Sequence, residues 1–124
     1  MKIQEAMDQV DMLTANQIPG EQKIRWLSNL DKLISVEIHG GREAVGDLVF
    51  AGYSEDVDLS TELLVPEPYD EIYRWWLEMK IQDVNGEMVR YNNAANKYNM
   101  ALMTYMDYVN RTYPRKKAVH PRFW

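Results

Sequence analysis

The sequence predicts an all-α fold in a single domain, and three observations carry that prediction. Leu77, Ile81, Val84, Met88, Tyr91, Ala95, Tyr98, Leu102, Tyr105 and Val109 alternate by three and four residues, which places all ten on one stripe of a helix, as heptad a and d positions. Ile24, Leu27, Leu30, Ile34 and Ile38 form a second helical stripe upstream. At 124 residues and 46% hydrophobic content, the chain can fill one core and is too short for two comfortable ones.

The first helix is expected over residues 3–13. Ile3, Met7 and Val10 share a face, while Glu5, Asp8 and Asp11 lie elsewhere. Acids early in a helix suit its positive N-terminal end. The segment 16–20 breaks it, and Pro19 and Glu21 suit the first turn of a second helix. That helix runs to about His39. Trp26 and Leu33 widen its stripe, which implies burial on more than one side. Gly40 and Gly41 end it, glycine being the usual residue for a left-handed cap.

Residues 42–67 carry no helical period. Leu48-Val49-Phe50 and Leu63-Leu64-Val65 are short apolar runs that would pair as a small β-hairpin. Between them Asp56, Asp58 and Ser60 fall at positions 1, 3 and 5 of a calcium loop, with Glu67 at position 12. Position 6 is Thr61 where the sharp turn needs glycine, and Pro66 sits where the exiting helix should form, so the segment reads as a solvated acidic loop. A long connection without regular structure inside a compact domain is often functional.

The long stripe predicts one continuous helix over residues 69–112, about 65 Å at 1.5 Å per residue. Asn85-Gly86 is the place where it would break. Glycine costs roughly 1 kcal/mol in a helix interior and Asn-Gly favours turns. Val84 and Met88 keep register across it, with Gly86 at an exposed position, and this favours continuity. The alternative is a helical hairpin turning at Asn85-Gly86 to complete a four-helix bundle. Tyr91, Tyr98 and Tyr105 read as core residues or as an inter-subunit seam. Tandem Trp75 and Trp76 cannot share a face, so Trp75 is expected at an interface or under the loop. Pro114 ends the helix. The chain thus divides into a helical domain, 1–113, and a basic, aromatic arm, 114–124.

The net charge is −5, and it is split. Residues 43–71 hold nine acids and no Lys or Arg, while residues 108–124 hold five bases and no acid. The split reads either as two solvated ends or as complementary faces for head-to-tail association, since opposite potentials steer such contacts and fix their register. The candidate protein-interface residues are therefore Glu55, Asp56, Asp58 and Glu62 in the acidic block, and Arg111, Arg115, Lys116, Lys117, Arg122, Phe123 and Trp124 in the arm. A heterologous contact between such segments closes into a ring when its rotation allows.

Nothing in the sequence recommends an enzyme. With no cysteine there is neither a thiolate nucleophile nor a thiolate metal site. His39 and His120 lack partners at metal spacing. Gly40-Gly41 is followed by Arg42 and Glu43, with no phosphate-cradling motif, and no nucleophile elbow is present. No catalytic, cofactor or metal site is expected, and no apolar run is long enough to span a membrane. The start of the chain reads as having no signal peptide, polar residues interrupting it at once. The arm, with Tyr113, Phe123 and Trp124, admits a nucleic-acid reading, but five positive charges on an acidic domain make a weak footprint.

Several segments resemble a known group of proteins. They are Glu62-Leu-Leu-Val-Pro-Glu-Pro-Tyr-Asp-Glu-Ile-Tyr73, Asn85-Gly-Glu-Met-Val-Arg-Tyr-Asn-Asn93 and Tyr108-Val-Asn-Arg-Thr112. Ile3-Gln4-Glu5-Ala6, Val10-Asp11 and Gln22-Lys23-Ile24-Arg25-Trp26-Leu27 belong with them. Together they resemble small proteins of phages and prophages of Gram-positive bacteria, encoded among head and head–tail joining genes. By analogy these are similar to helical head–tail connector (adaptor) proteins. That resemblance implies a virion structural protein, present in the host cytoplasm during assembly. It implies a homo-oligomeric ring on the portal that extends the DNA channel, with tail-completion proteins as further partners and DNA passing without tight binding. A head-completion or tail-assembly factor and a small DNA-binding regulatory module are the alternatives.

Overall fold

The computed structural model describes residues 1–40 and 50–113. Among them are four α-helices and no strand: α1 (Ile3–Leu13), α2 (Gly20–Ile34), α3 (Glu71–Asn85) and α4 (Met88–Thr112). A π-helical turn, Ser35–His39, extends α2. The chain is an all-α bundle, as the periodicities predict.

α1 buries Ile3, Ala6, Met7 and Val10. The first amides of a helix lack partners inside it. Here the loop supplies them: Ile3 N–H donates to the Thr61 carbonyl and Gln4 N–H to the Leu59 carbonyl, both at 3.0 Å. Glu5 reaches back to accept the Lys2 N–H at 3.1 Å, the acidic half of a capping box. α2 begins one residue after Pro19, whose carbonyl accepts the amides of Gln22 and Lys23. Ile24, Leu27, Leu30 and Ile34 are buried, and Ile38 follows them on the π turn. Trp26 packs at the edge of the core, whereas Leu33 is 42% exposed and does not widen the buried stripe. The helix stops without the expected left-handed cap at Gly40, whose φ is −59°; Gly41 lies outside the described residues.

The continuous helix over 69–112 is not what forms. The chain turns at Asn85-Gly86, and α3 and α4 make an antiparallel hairpin. Gly86 adopts φ +72°, its N–H donates to the Asp83 carbonyl (3.2 Å), and Glu87 N–H donates to the Gln82 carbonyl (3.0 Å). These are the two bonds of a Schellman cap with glycine at the left-handed position. The reason lies in the stripe itself. Leu77 and Ile81 on α3, and Tyr98, Tyr105 and Val109 on α4, are all buried. Folding back lets the two halves contribute to one core, which a straight helix would leave to another molecule. Val84 and Met88, beside the turn, are left 58% and 68% exposed. Helical register across Asn85-Gly86 therefore reflects two helices that each need an apolar face, not one.

The expected β-hairpin has no counterpart among the described residues; Leu48 and Val49 lie outside them. Leu63 and Val65 instead enter the core, and the segment's one bridge pairs Glu62 with Lys2. Residues 59–65 thus form a strap over the start of α1. Tyr98 and Tyr105 are core residues, and Tyr91 is half-buried.

Candidate protein interface

The strap is fastened by a buried carboxylate. Asp31 is fully buried, and it accepts hydrogen bonds from the hydroxyls of Tyr53 and Tyr73 and from the Leu64 N–H (3.1 Å). Tyr73 hydroxyl in turn accepts the Val65 N–H at 2.8 Å. Ser28 hydroxyl accepts the Tyr53 N–H at 2.9 Å. Burial pushes the Asp31 carboxyl above its usual range, against the pull of its tyrosine donors. Burial, together with the Asp31 charge, pushes both phenols up. No cation accompanies Asp31 among these contacts. The group is a structural clasp with its polar atoms satisfied by neutral donors. Its signal was in the sequence: Asp31 follows Leu27 by four residues and precedes Ile34 by three, an acid on an apolar stripe.

The acids expected at an interface have partners of their own. Glu55 accepts from Arg25 at 3.2 Å, both side chains being well exposed. Asp56 accepts the Ser54 hydroxyl at 2.6 Å, which lowers its pKa. Asp58 accepts the N–H and hydroxyl of Ser60 at 2.9 and 2.8 Å, lowering its pKa too. Glu62 meets the Met1 ammonium at 3.2 Å. Each carboxylate closes a contact within the chain. No group of three or more His, Asp or Glu among the described residues is placed to hold a metal ion. Arg111 is exposed on the last turn of α4 and donates to the Asp107 carbonyl at 3.3 Å. Arg115, Lys116, Lys117, Arg122, Phe123 and Trp124 lie outside the described residues, as does His120.

His39 takes a structural place. Its Nε2 is 2.6 Å from the Tyr105 hydroxyl, and burial lowers its pKa. Tyr105 belongs to an aromatic cluster in which Tyr69 stacks on Tyr108 at 4.6 Å and Tyr113 meets Tyr108 edge-on at 6.2 Å. The two tryptophans separate as their spacing requires. Trp76 turns inward, donating its Nε1–H to the Trp26 carbonyl at 2.8 Å and packing on Tyr98. Trp75, also half-buried, has Arg74 at 4.0 Å and Lys97 at 5.0 Å from its ring centroid. It lines an open groove of about 400 Å³ with Pro68, Tyr69, Glu71, Lys97, Met100, Ala101 and Thr104.

Beside that groove runs the surface that the sequence reading missed. The side of α4 turned away from the core presents Val89, Asn92, Asn93, Asn96, Asn99, Met100, Met103 and Met106, all exposed. Between Arg90 and Asp107 the helix has one charged residue, Lys97, and that one is drawn over Trp75. An outward helix face ordinarily carries charge. This one carries amides and thioethers, and Val89, Met100 and Met103 are 84%, 69% and 63% exposed. The signal in the sequence was the run of Asn and Met between the a and d positions, where Lys and Glu are the usual occupants.

No helix among the described residues is long and apolar enough to cross a membrane. No family model, curated protein or solved structure matches this chain.

Proposed function

We propose that this protein is a non-catalytic assembly component, a phage head–tail connector or adaptor that oligomerises on the portal and extends the DNA channel. The observation that carries the assembly role is the outward face of α4. Protein interfaces are depleted of charge at their centre and enriched in methionine. A stripe with no central charge from Val89 to Met106 on a 25-residue helix fits that description. It is continuous through Met100 with the groove beneath Trp75, and tryptophan is enriched among residues that dominate binding energy. The step from assembly component to connector rests on the resemblance of the sequence segments given above. In this role the chain holds no cofactor and performs no reaction. It acts in the virion and, before that, in the host cytoplasm.

The test is co-sedimentation of the purified protein with portal rings from the same genome. Wild type pelleting with the portal, and loss of pelleting in Met100→Glu/Met103→Glu with unchanged circular dichroism, would support the reading. Salt-sensitive binding to duplex DNA with no portal binding would favour the regulatory alternative. Binding to tail-completion proteins but not to the portal would favour a tail-assembly factor.

A further inference from the structure

Two connections meet at one end of the bundle. The α1–α2 loop and the α3–α4 turn together line an open recess of about 510 Å³, formed by Ala15, Asn16, Gln17, Ile18, Val84 and Asn85. Around this tip the helix ends leave large apolar side chains in water: Met12 and Leu13 on α1, Val84 on α3, Met88 and Val89 on α4. Exposed apolar patches of this kind mark interaction sites. The rim is acidic. Asp83 and Glu87 are exposed, and among the described residues neither side chain takes a hydrogen bond or an ion pair. Their carboxylates are uncommitted, in contrast to Glu55, Asp56, Asp58 and Glu62, which are held in local contacts.

A recess lined by apolar and amide side chains, with exposed apolar residues around it and two acids at the adjoining turn, fits a basic segment that carries aromatic rings. This chain has such a segment in residues 114–124, with Arg115, Lys116, Lys117 and Arg122 beside Phe123 and Trp124. Reach decides which copy it serves. The segment departs from the far end of α4, and the tip lies at the near end. A helix of 25 residues separates them by about 37 Å at 1.5 Å per residue. The eleven residues from Pro114 to Trp124 span at most ~40 Å when fully extended. A molecule would have to stretch the segment completely along its own α4 to reach its own tip. A second copy placed end to end brings its tip within easy reach.

We propose that residues 114–124 of one copy dock on the apolar, acid-rimmed tip of a second copy, giving head-to-tail association. The contact is heterologous, so it propagates and closes into a ring where the rotation per step allows. The idea deepens the assembly reading and rests on it, but it requires no portal.

The experiment is sedimentation velocity of the full chain over a concentration series at low salt, where charge pairs are least screened. Wild type is expected to associate. Asp83→Lys/Glu87→Lys and Lys116→Glu/Lys117→Glu are each expected to weaken association at least tenfold, and an equimolar mixture of the two variants to recover it. Wild type that stays monomeric throughout, single variants that associate as wild type, or a mixture that does not recover, would overturn the proposal. Carbodiimide cross-linking of mixed ¹⁴N and ¹⁵N wild-type protein needs no variant to fold. Lys116 or Lys117 joined to Asp83 or Glu87 between labelled and unlabelled copies is expected. The same links confined to single copies, or no such links, would overturn it. Association and mixed cross-links in a protein that ignores the portal would keep this inference and reject the connector role.

Discussion

The Tyr73 hydroxyl donates a 2.6 Å hydrogen bond to the Asp31 carboxylate, and both residues are fully buried. One bond thereby ties α3 to α2 across 42 positions of sequence. The same two side chains hold the amides of Leu64 and Val65, so the strap over α1 is anchored at the same point. Removing Asp31 leaves these donors without an acceptor in the core. Asp31→Ala is expected to cost about 3 kcal/mol, since each unsatisfied buried polar group costs roughly 1–3 kcal/mol. Tyr73→Phe, which strands the Val65 amide, is expected to cost about 1–2 kcal/mol. Urea titrations followed by tryptophan fluorescence measure both, with Trp76 packed against Tyr98 as the reporter.

The buried carboxylate also sets a pH dependence. Burial raises the Asp31 pKa above its unfolded value of 3.8, so the folded state holds the proton more tightly than the unfolded one. Its contribution to stability is then fully present below that value and is lost as pH rises through the folded pKa. Asp31→Asn does not titrate. The stability advantage of wild type over Asp31→Asn is therefore expected to shrink as pH rises above 3.8, measured by urea titration at a series of pH values.

His39 gives the opposite sign in a different window. Burial lowers its pKa from 6.5, so its contribution is present above that value and falls away as pH drops through the folded pKa. Wild type is expected to lose more stability than His39→Gln between pH 7 and pH 5. Paired thermal melts at the two pH values check this.

The two left-handed glycines separate backbone strain from crowding. At Gly86, with φ +72°, a Cβ would meet nothing within 4 Å. Gly86→Ala is expected to cost only the conformational term, about 1–2 kcal/mol. At Gly52, with φ +99°, a Cβ would lie 2.5 Å from Lys32 Cε and 2.7 Å from Ser28 Oγ. Gly52→Ala is expected to cost more than Gly86→Ala and to free the Tyr53 amide from Ser28. Hydrogen exchange of the Tyr53 amide reads the second effect. A gain of stability in Gly86→Ala would contradict the hairpin and restore the continuous helix.

Helix existence and faces were legible in the sequence because amphipathic periods are local. Ile3, Met7 and Val10, and then Ile24, Leu27, Leu30 and Ile34, are buried as their spacing requires. Asn85-Gly86 was legible as the site of a turn, but the choice between hairpin and continuous helix was not, because register across it suits two helices sharing a core as well as one long seam. That choice is made by tertiary contacts between Leu77 or Ile81 and the rest of the bundle. Asp31 was visible as an acid on an apolar stripe, but its tyrosine donors are 22 and 42 residues away. The charge split points to Glu55, Asp56, Asp58 and Glu62, whose carboxylates also close contacts within the chain. The outward Asn and Met residues of α4 carry no charge, and a reading guided by charge passes over them.

The role proposed for this chain is assembly on a larger platform. Negative-stain imaging of portal rings incubated with the purified protein tests it most directly. An added ring of density on one face of the portal is expected, absent with Met100→Glu/Met103→Glu. Bare portal rings, with both proteins folded and in excess, would contradict it.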